Sequence, residues 1–118
     1  MPLLADDPAP RTTEDGVYTV EQAERGKESY KRSCSGCHAL DWYRSDVMKP
    51  WNDAPLFYLY EALSTTMPKN NPGSLKRKDY AAILAYILAL NEMPAGAEEL
   101  PDSPEALQKV FIKWRKKP

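Results

Sequence analysis

The residues best suited to chemistry in this chain lie together in one short segment. Of the 118 residues, the single histidine and both cysteines fall between Cys34 and His38. The segment reads Cys34-Ser35-Gly36-Cys37-His38, so two thiols stand three positions apart and an imidazole follows the second thiol directly. This pattern suits three chemistries, which are thiol redox, zinc binding and haem attachment. Because the chain has no other histidine, a catalytic triad or an imidazole–metal bond would have to use His38.

The order Cys-x-x-Cys-His is typical of c-type haem attachment. Two thiols at this spacing can add to the two vinyl groups on one edge of a haem, and the imidazole that follows is then directed towards the iron. A thiol redox pair would instead require the strand and helix of an α/β domain around it. A zinc site would need Asp or Glu as a further ligand, since the sequence has no third cysteine and no second histidine. The pattern therefore favours haem and leaves zinc as an alternative.

The overall composition excludes several classes of function. The chain has 16 Lys and Arg against 17 Asp and Glu, a formal charge of −1, so it lacks the global positive field of a nucleic-acid-binding protein. Its longest apolar stretch, from Tyr80 to Leu90, has about half the length that a membrane span requires, and no transmembrane segment is predicted. Residues 1–5 lack the basic and apolar regions of a secretory signal.

The spacing of apolar residues predicts helices and no strands, which places the chain in the all-α class. The first helix should be capped by Thr19, with Gln22 three residues later as in a capping box. Gly26 within that helix costs about 1 kcal/mol relative to alanine and therefore indicates the close approach of another helix. Asp53 is the predicted cap of the second helix, and Ser103 is that of the last. The four predicted helices cover residues 20–32, 55–64, 77–91 and 104–114.

A methionine could supply a second ligand to a haem iron, because His/Met is a recurrent axial pair. Met1 lies in a proline-rich arm, and Met93 follows the long third helix where helices should pack. Met48 lies only ten residues after His38, which is short for a chain that must cross a haem. Met67 lies 29 residues after His38, in a loop restrained by prolines. Met67 is therefore the best candidate.

Together these features make the sequence resemble a class I c-type cytochrome, that is, a bacterial monohaem cytochrome c. Besides the segment from Cys34 to His38, the similarity lies in the loop around Met67 and in the contact between the first and third helices. The resemblance implies one covalently attached haem c, held by thioether bonds at Cys34 and Cys37. It also implies His38 and Met67 as the axial ligands of the iron. The residues that carry the similarity outside the thiol segment are Thr65-Thr66-Met67-Pro68, Asn71-Pro72-Gly73-Ser74-Leu75, Gly26, Tyr30, Ile83 and Tyr86.

The resemblance also implies the fold of class I cytochromes c, in which helices and loops wrap around one haem, here with an additional C-terminal helix. It covers residues 18–93, which we predict to form the cytochrome c domain. Residues 1–17 contain three prolines and few large apolar groups, and are predicted to form a flexible arm. Residues 94–118 are predicted to be an extension with a short helix and a basic end. The stretch 91–101 resembles extensions on cytochromes that serve periplasmic dehydrogenases.

The resemblance implies electron transfer and not catalysis, because an iron with both axial positions filled by the protein cannot readily bind a substrate. We therefore expect a soluble periplasmic carrier that accepts electrons from a dehydrogenase and passes them to an oxidase or another cytochrome. The chain should act as a monomer or in transient complexes with these redox partners. If Met67 does not bind the iron, the alternative is a five-coordinate haem sensor or a small haem enzyme.

Basic side chains near the predicted haem edge could dock an acidic partner, and charge would then mainly set the rate of association. Their alternative role is to keep the fold soluble. These side chains are Lys31, Arg32, Lys69, Lys76, Arg77 and Lys78.

Overall fold

The computed structural model describes residues 11–33, 45–68 and 71–114, which are mainly helical. The described residues form four α-helices and one 3₁₀ helix, together with two strands of two residues each. The helices are α1 (Val20–Ser33), a 3₁₀ helix (Ser45–Trp51), α2 (Leu56–Thr66), α3 (Arg77–Leu90) and α4 (Pro104–Leu107), and the strands are β1 (Arg11–Thr12) and β2 (Val110–Phe111). The predicted all-α class is confirmed, and the three long helices lie within one or two residues of their predicted bounds. Within the described ranges, none of the helices combines the length and the apolar character that crossing a bilayer demands.

The start of α1 follows the predicted cap in part. The Thr19 Oγ1 accepts a hydrogen bond from the Gln22 backbone N–H at 3.1 Å, as an N-cap should. The Gln22 side chain, however, does not complete a capping box, because it is buried against the C-terminal segment, here residues 94–114. Its Nε2 donates to the Leu100 carbonyl at 2.9 Å, and its Oε1 accepts from the Leu100 N–H at 2.7 Å. A buried amide is thus satisfied by the chain 78 residues away.

Helices α1 and α3 cross in close contact at Gly26, as the sequence predicts. A Cβ atom at Gly26 would lie 1.8 Å from the Ala82 carbonyl oxygen, far inside any allowed contact. Further along the same crossing, the rings of Tyr30 and Tyr86 lie with their centroids 5.5 Å apart. Every residue of α3 from 80 to 88 is buried, so this helix is enclosed on more sides than a single apolar stripe would require.

Helix α2 begins differently from the prediction, and the assignment of Asp53 as its cap is wrong. The N-cap is Pro55, which makes no capping bond through its side chain. Asp53 instead has a positive φ of 69° and turns towards the C-terminal segment. Its N–H donates to the Ile112 carbonyl at 2.8 Å, and its carboxylate pairs with the Lys113 Nζ at 2.6 Å.

The last predicted helix is also wrong over most of its length. Ser103 caps α4 as predicted, accepting from the Ala106 N–H at 3.3 Å, but the helix ends at Leu107. The chain then extends into β2, which pairs in parallel with β1. The apolar run from Val110 to Ile112 is too short to distinguish a strand from a helix by periodicity. The distant partner strand therefore decides its conformation.

Residues 11–17, the described part of the predicted flexible arm, are packed into the structure. The side chain of Thr13 is fully buried. The Thr13 N–H donates to the Phe111 carbonyl at 2.9 Å, and its Oγ1 accepts from the Lys113 N–H at 3.0 Å. Val17 is also buried. The low apolar content of the arm predicted flexibility. The segment that it packs against lies about 100 residues further along the sequence, so no local pattern indicated this contact.

Candidate functional site

The thiol and imidazole side chains of the predicted site, at Cys34, Cys37 and His38, lie outside the described residues. The structure does describe the element that leads to them, because α1 ends at Ser33, directly before Cys34. Since α1 is fixed against α3 at Gly26, the crossing determines where this end of α1 lies in the fold.

Met67 is the predicted site residue that the structure describes, and its backbone is held at both ends. It follows α2 directly in an extended conformation, with φ −126° and ψ 149°. The Met67 N–H donates to the Leu63 carbonyl at 2.9 Å, which ties it to the last turn of α2. The Met67 carbonyl accepts from the Tyr80 hydroxyl at 2.7 Å and from the Gly73 N–H at 3.4 Å. The loop that contains Met67 is therefore anchored to α2 and α3.

Tyr80 is a functional candidate that the sequence analysis missed. Its side chain is only 3% exposed, and its hydroxyl contacts the Met67 loop, residues 67–76, near both of its ends. The hydroxyl donates to the Met67 carbonyl at 2.7 Å and accepts from the Leu75 N–H at 3.4 Å. The signal in the sequence was a tyrosine in the first turn of α3, where the apolar run of the helix begins, shortly after a loop with two prolines.

The ring of Tyr80 is itself held by a second tyrosine. The rings of Tyr60 and Tyr80 meet edge to face, with centroids 6.3 Å apart, a favoured geometry for an aromatic pair. Burial raises the pKa of Tyr60; the Arg77 guanidinium acts in the opposite direction, and Asp102 and Tyr80 add to the increase. Tyr60 therefore keeps its proton well beyond neutral pH, and the aromatic pair carries no charge from this phenol.

The surroundings of the Met67 loop fit a haem. A thioether is a soft ligand that recurs opposite histidine on haem iron, and Met67 follows a helix whose buried residues are all leucine or tyrosine. Several large apolar side chains pack against the core yet stay partly uncovered, as the lining of an apolar cofactor must. Phe57 on α2 and Leu75 in the Met67 loop are two of them, and Val47 and Trp51 of the 3₁₀ helix are two more. Met48 and Met93, by contrast, are buried in the core itself.

The described residues hold no alternative metal centre. Among them, no group of three or more His, Cys, Asp or Glu side chains lies close enough together to bind a metal ion. The zinc alternative would need an Asp or Glu ligand beside the thiol segment, and that segment lies outside the described ranges.

Comparison with known proteins identifies the family. Residues 21–87 match the model of the family described as cytochrome c oxidase, cbb3-type, subunit III, and this range covers more than half of the 118 residues. It includes the thiol segment, the Met67 loop and most of both crossing helices. No curated protein and no solved structure matches at a significant level. The chain therefore belongs to this family of c-type cytochrome domains, which implies haem c as cofactor and electron transfer as function.

Proposed function

We propose that the chain is a periplasmic electron carrier with one covalently attached haem c. In this proposal Cys34 and Cys37 form the thioether bonds, and His38 and Met67 are the two axial ligands. When bound, the haem supplies a one-electron change between ferric and ferrous iron. The observation that carries the proposal is the anchored backbone of Met67, which receives hydrogen bonds from Tyr80 and Gly73 and donates one to Leu63.

The chain's own residues give this site its character. The crossing of α1 and α3 at Gly26 and the bond from Tyr80 on α3 to Met67 connect the two ligand-bearing segments through one rigid helix. Phe57 and Leu75 are partly buried apolar side chains packed against the core. Beside a bound haem they would exclude water, and exclusion of water helps to tune the potential of a metal centre. With His38 and Met67 both bound to the iron, no position would remain for a substrate, and this favours a carrier over an enzyme.

The proposed partners are a periplasmic dehydrogenase as donor and an oxidase or another cytochrome as acceptor. The family description names an oxidase subunit, and this supports an oxidase on the acceptor side. Basic side chains at the end of α1 and the start of α3 are exposed and could face an acidic partner. The described members of this group are Lys31, Arg32, Lys76, Arg77 and Lys78, and Lys69 lies outside the described residues.

Substitution of Met67 tests the axial assignment directly. The haem-loaded ferric protein should show the far-red absorption band of thioether–iron ligation, and the reduced protein should not bind carbon monoxide. Met67→Leu should abolish the band and allow carbon monoxide to bind, because leucine keeps the apolar volume but removes the sulfur. The measurement is absorption spectroscopy of both oxidation states.

Met48→Leu is the matched control, since Met48 is a fully buried methionine of the core and its loss should leave the band in place. A band that survives Met67→Leu, or that disappears with Met48→Leu, would contradict the assignment. A wild-type protein that lacks the band and binds carbon monoxide would favour the five-coordinate haem sensor or small haem enzyme instead.

A further inference from the structure

The hydroxyl of Tyr80 is a polar group on a buried side chain of α3, and it contacts the Met67 loop through two hydrogen bonds. We propose that Tyr80 is a positioning residue, whose hydroxyl holds the backbone of Met67 so that the thioether stays on the iron. This inference rests on the proposed role of Met67 as an axial ligand. Tyr80 contacts the ligand's backbone and acts through it.

The geometry shows why this hydroxyl controls the loop. It bridges the Met67 carbonyl, at 2.7 Å, and the Leu75 N–H, at 3.4 Å. The loop between α2 and α3 runs from Met67 to Lys76, so one phenol contacts the first residue of the loop and the last but one. The Gly73 N–H donates to the same Met67 carbonyl at a longer distance of 3.4 Å, which makes the phenol the shorter of the two contacts.

The burial of Tyr80 makes its position precise. Its side chain is 3% exposed, and the edge-to-face contact with Tyr60 limits rotation of the ring. A buried hydroxyl without a partner is costly, so the fold strongly favours the bonded arrangement. Helix α3 is fixed against α1 at Gly26. The helix crossing therefore determines where Tyr80 lies and, through its hydrogen bond, where the Met67 carbonyl lies.

A carbonyl held at a fixed point restricts the Cα of the same residue and, with it, the direction of the side chain. Without the phenol, the loop keeps the weaker contact from Gly73 and the attachment of Met67 to α2 through Leu63. The thioether should then leave the iron more often, and an external ligand should replace it more easily.

The test is Tyr80→Phe in the haem-loaded protein, titrated with imidazole in the ferric state. Imidazole competes with the thioether for iron, so its binding constant reports how firmly Met67 is held. We expect the constant to rise about fivefold, which corresponds to the loss of about 1 kcal/mol from one hydrogen bond. The far-red thioether band should weaken at the same time. Tyr58→Phe is the matched control, since Tyr58 lies on α2 with its side chain 53% exposed, and it should leave both readouts unchanged.

The outcomes separate this inference from the proposed function. If the wild-type band is present and Tyr80→Phe changes neither the band nor the imidazole constant, the positioning role is overturned while Met67 remains a ligand. If the wild-type protein lacks the band, the assignment of Met67 as a ligand and the positioning role of Tyr80 are both wrong. If Tyr58→Phe changes the imidazole constant as much as Tyr80→Phe, the effect is not specific to the bond with Met67 and the inference is also overturned.

A second measurement needs no variant and covers the case in which Tyr80→Phe is too unstable to load haem. In the diamagnetic reduced wild-type protein, the Tyr80 hydroxyl proton should exchange slowly with water and be visible by proton nuclear magnetic resonance, with a contact to Met67. A rapidly exchanging Tyr80 hydroxyl would overturn the inference.

Discussion

Two buried tyrosine hydroxyls each hold a backbone carbonyl that lies just past a long helix. Tyr80 donates to the Met67 carbonyl after α2, at 2.7 Å, and Tyr18 donates to the Met93 carbonyl after α3, at 2.5 Å. Tyr18 and Tyr80 are 4% and 3% exposed, so each bond satisfies a group that would be costly to bury alone. Burial also raises the pKa of Tyr18. At the residue scale, polar groups in the core therefore fix the ends of the helices.

The raised pKa values of Tyr18 and Tyr60 predict a loss of stability in alkali. Below a pH of about 10, the phenol carries its proton in both the folded and the unfolded chain. Above that pH the unfolded chain loses the proton first, because burial holds the folded pKa higher. The free energy of unfolding should therefore fall as pH rises from about 10 towards the folded pKa. The measurement is urea denaturation of the haem-loaded protein at several alkaline pH values.

The variant that isolates this effect is Tyr18→Phe, which should be less stable overall because it loses the bond to Met93, yet should show a smaller alkaline decline. The exposed Tyr58→Phe should keep the wild-type slope. An equal slope in wild type and Tyr18→Phe would show that the buried phenol is not the source.

The crossing of α1 and α3 is the main contact between elements, and it depends on one residue without a side chain. A Cβ at Gly26 would lie 1.8 Å from the Ala82 oxygen and 2.3 Å from its carbonyl carbon. Both are backbone atoms of a buried helix, so they cannot move aside as a flexible side chain could. The contact sets the distance between the helix that leads to Cys34 and the helix that carries Tyr80.

Gly26→Ala should destabilise the protein despite its better helix propensity. The alanine contributes about 1 kcal/mol of propensity, but separating two backbones costs about 3 kcal/mol, the upper part of the range for overpacked cores. We expect a net loss of about 2 kcal/mol in the free energy of unfolding, measured by urea denaturation. The control is Glu28→Ala, an exposed position on the same helix. A Gly26→Ala protein at least as stable as wild type would contradict the close packing.

At the scale of the whole molecule, the C-terminal segment joins parts of the chain that are far apart in sequence. Strand β2 pairs with β1 near the N-terminus, and the Ile112 N–H donates to the Ala54 carbonyl before α2 at 2.9 Å. The Trp114 Nε1 donates to the Asn91 Oδ1 after α3 at 3.0 Å. The segment thus connects β1, the start of α2 and the end of α3. It holds α2 at its start and α3 at its end, whereas the Met67 loop joins the other two ends.

The distribution of charge over the molecule predicts how it meets a partner. Although the formal charge is only −1, basic side chains gather at the end of α1 and the start of α3. Arg32 and Lys78 line one cleft there, whose other charged residues are Arg25, Glu28, Asp79, Glu99 and Asp102. If they dock an acidic donor, its second-order rate of haem reduction should fall as ionic strength rises, because salt screens exposed charges. Stopped-flow absorbance with the proposed dehydrogenase donor measures this rate.

Lys78→Gln should lower both the rate at low salt and its dependence on salt. Lys109→Gln, an exposed lysine in the C-terminal segment, is the matched control and should change neither. A reduction rate that is independent of salt would mean that these lysines only keep the fold soluble.

Local signals in the sequence were sufficient for the long helices. The helical spacing of apolar residues predicted α1, α2 and α3 to within two residues, and Gly26 correctly indicated the crossing. The assignments of Cys34, Cys37 and His38 stay predictions, because these residues lie outside the described ranges. The assignment of Met67 as a ligand also stays a prediction, because the structure describes its backbone contacts and not a bond to iron. The family match supports their chemistry without testing the individual ligands.

What the sequence by itself determined is what short-range physics encodes: the helical class, the haem-binding pattern and a methionine in a restrained loop. The tertiary structure alone decided the end of α4, the turn at Asp53 and the roles of Gln22 and Tyr80. Their partners lie far away along the chain, at 60 residues for Asp53 and 78 for Gln22, or across a loop for Tyr80. The conformation of such residues depends on which distant groups the fold brings near, and no local pattern records that choice.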